Sequence, residues 1–144
     1  MKIYRITRTA SIANDPKVIE IAKRVRAREV KSNNDEYLRE MCKPVSEALA
    51  REYMSEGYNA AQVVEGTFEI DNPKKEYVQN VKFDTPEDIE SAKKNQLHYW
   101  VDMNGTIIDL TASQFNDELN SPLPHIVIGS MSSLKRYRVM QYYD

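Results

Sequence analysis

The spacing of apolar residues changes character near Gly57. Before it they recur every three to four positions, the helical period; after it they alternate, the strand period. Val18, Ile21, Ala22 and Val25 mark one buried face of a first helix, with Asn14 and Asp15 as caps and Pro16 at its first position. Ser32–Asp35, reading SNND, is turn-like and offers several caps for a following helix. Pro44 belongs in a first helical turn, so the spacing predicts a break near Cys42 and a fresh helix from about Lys43. Val45, Ala48, Leu49 and Tyr53 would line its buried face and Gly57 would stop it. Cys42 is therefore expected at a helix start.

Lys2 to Arg8 alternates as a short strand or extended arm does, and Ala61 to Ile70 reads as a strand rich in Val, Phe and Ile. Asp71 to Glu90, with Pro73, Pro86 and many charges, predicts a loop, with a short helix near Pro86 to Lys93. Two alternating runs, Leu97–Met103 and Thr106–Leu110, flank Asn104-Gly105, the strongest short-range signal for a β-hairpin. Further strands are expected at His125–Ile128 and Tyr137–Tyr142. Helices first and antiparallel strands afterwards make the class α+β, with N-terminal helices packed on an antiparallel sheet in a single domain over residues 1–144.

Composition narrows the function. With 144 residues, 41% hydrophobic and 29% charged, the chain has the make-up of one ordinary globular domain. A net charge of -2 creates no global field toward nucleic acid or anionic lipid. One cysteine forms no internal disulfide, and no apolar run approaches the ~20 residues of a membrane span. The opening MKIYRITRTASIAND has no apolar core of a secretory signal, so a cytoplasmic location is expected. Two histidines and one cysteine lack metal-ligand spacing, and no glycine-rich phosphate motif is present, so neither metal nor cofactor is expected. Lys23, Arg24, Arg26, Arg28 and Lys31 form a basic cluster, either a solvated helix face or a patch for an acidic partner. No stacking aromatics interleave with it, which disfavours nucleic acid. Tyr137, Tyr142 and Tyr143 are candidates for an interface or for packing.

The hairpin carries candidate chemistry. A two-residue turn sets Met103 opposite Thr106 and Trp100 opposite Asp109, so His98, Trp100 and Asp102 share a face with Ile107, Asp109 and Thr111. Asp109 is then the diagonal neighbour of His98, roughly 7 Å away by backbone. Tyr99, Val101, Met103, Ile108 and Leu110 form the opposite, apolar face. A carboxylate on one imidazole nitrogen fixes the tautomer and leaves the other as a base. A thiol at a helix start beside such a histidine is favoured as thiolate by both dipole and imidazolium. Cys42 as nucleophile, His98 as base and then acid, and Asp109 as orienter follow, with Trp100 shielding the pair from water. Bland readings exist for each: a buried small hydrophobe, a histidine bonded to a carbonyl, a strand-end cap. His125, beside Pro124, reads as structural.

The order Cys, His, Asp resembles the transglutaminase-like branch of the papain-like cysteine enzymes. HYWVDMNGTIIDLTASQF, His98 to Phe115, is similar to their His-x-Trp-Val…Ile-Asp-x-Thr-Ala segment. CKPVSEALAREYMSEGYNAAQVVEG, Cys42 to Gly66, resembles their Cys-helix-Gly-strand segment. Such cores occur in small bacterial and phage proteins and in peptide-maturing proteases. The resemblance implies a thiol-dependent hydrolase or acyltransferase (protease, deamidase or transglutaminase-type) acting on an amide or thioester carbonyl of a peptide or protein. For the oxyanion, the Cys42 amide and Asn33 or Asn34 are the candidate donors. The alternative is a catalytically idle version of the fold that binds a peptide or inhibits a partner protein.

Overall fold

A computed structural model of the chain describes residues 12–73 and 94–143. The expected arm at Lys2–Arg8 and the short helix near Pro86 to Lys93 lie outside the described residues. Helix α1, Pro16–Glu29, is capped by Asp15, whose carboxylate accepts the Lys17 amide at 2.9 Å. Val18, Ile21, Ala22 and Val25 are its buried face, as their spacing requires.

Helix α2, Asp35–Ser55, begins at Asn34, whose Oδ1 accepts the amides of Glu36 and Tyr37 at 3.0 and 3.3 Å. Asp35 and Glu36 place negative charge in its first turn, against the positive end of the dipole. It then runs unbroken through Pro44, which corrects the expected break near Cys42. A proline here orphans the carbonyl of Glu40. Both Glu40 and Pro44 are exposed, so water can meet that carbonyl and the helix survives. At the other end Gly57, at φ 96, closes the helix. The Tyr58 amide reaches Tyr53 O at 2.9 Å and the Gly57 amide Met54 O at 3.1 Å, a Schellman cap.

The two helices are tied together by the buried Tyr53 hydroxyl, which donates to Val18 O at 2.7 Å. Arg24 reaches Glu52 and Glu56, and Arg28 reaches Glu29 and Glu52. Half-exposed pairs of this kind contribute little stability. They do neutralise Arg24 and Arg28 of the basic cluster from within.

The sheet is antiparallel throughout, in the order β4-β3-β2-β1-β5. Its strands are β1 Ala61–Glu69, β2 Asn95–Met103, β3 Thr106–Asp109, β4 Val127–Ser130 and β5 Tyr137–Tyr143, with a 3₁₀ helix at Ala112–Glu118 after β3. Asn104 at φ 50 and Gly105 at φ 86 make the two-residue turn, and the ladder Met103↔Thr106, Asp102↔Ile107, Val101↔Ile108 has the expected register. Strand β4 starts two residues later than the expected His125, because its pairing with β3 fixes Val127 opposite Asp109. His125 is left exposed ahead of it.

Each face of the sheet buries its own cluster. Val63, Val101, Met103 and Ile108 pack with Val18, Ile21, Val45, Leu49 and Tyr53 of the helices. On the reverse lie Val64, Phe68, Trp100, Ile107, Phe115 and Tyr137. Strand β1 shifts register against β5 at Glu65/Gly66. A Cβ on Gly66 would stand 2.1 Å from Arg138 O and 2.4 Å from Trp100 Cη2, so only glycine lets Trp100 lie across the strand.

Candidate active site

His98 sits on the aromatic face with no exposed surface, ringed by Phe68, Trp100, Phe115 and Tyr137 at centroid distances of 6.0, 5.9, 5.1 and 6.4 Å. Its Nε2 lies 2.6 Å from Asp109 Oδ2. The diagonal placement on the hairpin thus becomes a direct hydrogen bond, and the carboxylate is itself 1% exposed. A buried carboxylate needs donors on both oxygens. Oδ2 also accepts the Tyr137 hydroxyl at 2.7 Å, and Oδ1 accepts the Thr111 amide at 2.9 Å. Burial, then the Asp109 charge, raises the Tyr137 phenol, so it remains a neutral donor.

Burial opposes charge on His98. The charge and hydrogen bond of Asp109, followed by those of Cys42, outweigh it and push the imidazole up to about 9. Asp109 holds Nε2. The Gln114 side-chain amide reaches Nδ1, at 3.3 Å.

Cys42 approaches from α2, although the C-terminal half of that helix packs on the other face. The geometry follows from where β3 stops. It pairs with β2 only over Val101–Met103, so the His98 stretch has no strand on that side. The N-terminal half of α2 and the 3₁₀ helix close around the gap. Arg39, one turn before Cys42, bonds Gln96 at 3.4 Å and lies 5.6 Å over the Phe115 ring. Cys42 is among the groups that raise both the His98 imidazole and the Tyr99 phenol.

Cys42 is 6% exposed, and its Sγ donates to Arg39 O at 3.2 Å. It does not stand at a helix start. It lies about two turns inside α2, beyond the terminal turn in which the dipole acts. Its amide, expected as an oxyanion donor, is engaged by the helix ladder with Leu38. Asn33 and Asn34 are not brought to the sulfur either. Asn33 Oδ1 accepts from Arg26 at 2.9 Å and Asn34 caps α2, roughly 12 Å along the axis. Trp100 lies beside the imidazole at a centroid distance of 5.9 Å, and among the described residues its Nε1 has no hydrogen-bond partner. Thr111, Gln114 and Tyr137 were not among the expected site residues. Thr111 was signalled by its place on the His98 face of the hairpin and two residues after an Asp, where an Asx-turn forms. Nothing local marks Gln114 or Tyr137, since their partners lie 16 and 28 residues away.

Among the described residues no group of three His, Cys, Asp or Glu could hold a metal ion, and no helix is long and apolar enough to cross a membrane. Comparison with known proteins finds no matching family model, no matching curated protein and no matching solved structure.

Proposed function

We propose that the chain is a thiol-dependent hydrolase or acyltransferase of the papain-like, transglutaminase-like kind, with Cys42 as nucleophile, His98 as general base and acid, and Asp109 as orienter. The supporting observations are the buried His98 Nε2–Asp109 Oδ2 hydrogen bond at 2.6 Å and the influence of Cys42, after Asp109, in raising the His98 imidazole. In this reading the sulfur attacks an amide or thioester carbonyl as its proton passes to His98. The C–N or C–S bond then breaks, with His98 returning the proton to the leaving amine or thiol. Water or an amine resolves the acyl thioester and restores the Cys42 thiol.

A second reading, an idle fold that binds a peptide or a protein, draws on the closure of the site: Cys42 is 6% and His98 0% exposed. An activated acyl thioester separates the two. Intact-mass analysis is expected to show one acyl group on Cys42 in the native chain. It should be absent in Cys42→Ala and form about a hundredfold or more slowly in His98→Ala. Acylation that is missing, or equal in native and His98→Ala proteins, favours the idle fold.

A further inference from the structure

The second partner of the imidazole carries an inference that deepens the triad reading and rests on it. Gln114 is 1% exposed, and its Nε2 lies 3.0 Å from Thr111 O and 3.3 Å from His98 Nδ1. The Thr111 carbonyl can only accept, so it fixes which end of the amide is nitrogen. That nitrogen therefore presents N–H to Nδ1, and Nδ1 must offer its lone pair. Thr111 also donates its amide to Asp109 Oδ1 at 2.9 Å. One residue thus ties the partners of both ring nitrogens into a single frame: Asp109 on Nε2 and Gln114 on Nδ1.

We infer that Gln114 is a positioning residue for His98, donating to Nδ1 of the neutral imidazole, protonated on Nε2, and so favouring that form against the imidazolium that Asp109 and Cys42 stabilise. At 3.3 Å the bond is long, so a thiol proton can displace it. Once Nδ1 takes that proton, the Gln114 N–H faces a donor and no longer bonds it, which drives the proton onward to the leaving group. The amide thereby opposes the groups that favour imidazolium. Those are Asp109 from β3 and Cys42 from α2. The Tyr137 phenol of β5 and Arg26 of α1 act on Asp109 rather than on the ring. Phe68, Trp100 and Phe115 contribute only uncharged rings. Arg39 and Glu118 stand 4.0 Å from each other.

The test is an NMR titration of the two histidines, with exposed His125 as internal reference. Gln114→Met keeps the shape and removes the donor; Gln114→Glu keeps the shape and offers only acceptors. The His98 midpoint is expected to rise by about half to one pH unit in Gln114→Met and by more in Gln114→Glu, with His125 unmoved. A residue that merely fills space would leave the midpoint in place in Gln114→Met. An unchanged His98 midpoint in either folded variant overturns the inference. Failure of the triad itself reads differently. There the native chain forms no acyl adduct on Cys42, whatever His98 does in the Gln114 variants.

Discussion

The two faces of the sheet are filled by different chemistry. Toward the helices, Val63, Val101, Met103 and Ile108 meet aliphatic side chains, and volume is all that the contact requires. On the reverse, Phe68, Trp100, Phe115 and Tyr137 surround an imidazole and a carboxylate with 0% and 1% exposure. Apolar residues of similar size could fill that space at no loss, and often with a gain in stability. The aromatic face therefore maintains a buried polar network that packing alone does not call for. Helix α2 joins the two: its C-terminal half seals the aliphatic face, and Arg39 in its N-terminal half reaches Gln96 and Phe115 on the other.

The contrast is broken most strongly by removing one member from each side. Asp109→Ala leaves His98 Nε2, the Tyr137 hydroxyl and the Thr111 amide without their acceptor, and is expected to cost about 3–5 kcal/mol. Leu49→Ala on the aliphatic face should cost a similar ~2–5 kcal/mol, through a cavity. Denaturant melts at several pH values tell them apart. Stability lost by Asp109→Ala should vary with pH, and that lost by Leu49→Ala should not.

The pH dependence has a definite sign. His98 is raised from 6.5 to about 9, so the folded chain binds its proton more tightly than the unfolded one. The stabilisation is fully present below pH 6.5 and is lost as pH rises through about 9. The gap in melting temperature between the native chain and His98→Leu should shift against the native chain from pH 6 to pH 10. A gap constant over that range would mean that His98 is not charged in the fold.

What could be read from the sequence divides along the same line. Asn104-Gly105 and the alternation around it fix the hairpin register, and with it the pairing of His98 with Asp109, because both are matters of local geometry. Helix α1 follows equally from Asp15, Pro16 and the spacing of its apolar residues. The α+β class and antiparallel sheet come from the change of period at Gly57. Pro44 misleads because its cost depends on solvent access at Glu40, which only the folded chain reveals. Once α2 starts at Asn34 instead of Lys43, Cys42 moves from a helix end to its interior, and the expected oxyanion donors move away. Gln114 and Tyr137 reach the site by tertiary packing alone.

The central claim is that the His98–Asp109 pair activates the Cys42 thiol. Its most direct test is the rate of Cys42 alkylation by iodoacetamide at pH 6, compared with a free cysteine and with His98→Ala. The native rate is expected to exceed that of the free thiol and to fall by about tenfold or more in His98→Ala. A native rate no greater than that of the free thiol, and unchanged by His98→Ala, would contradict it.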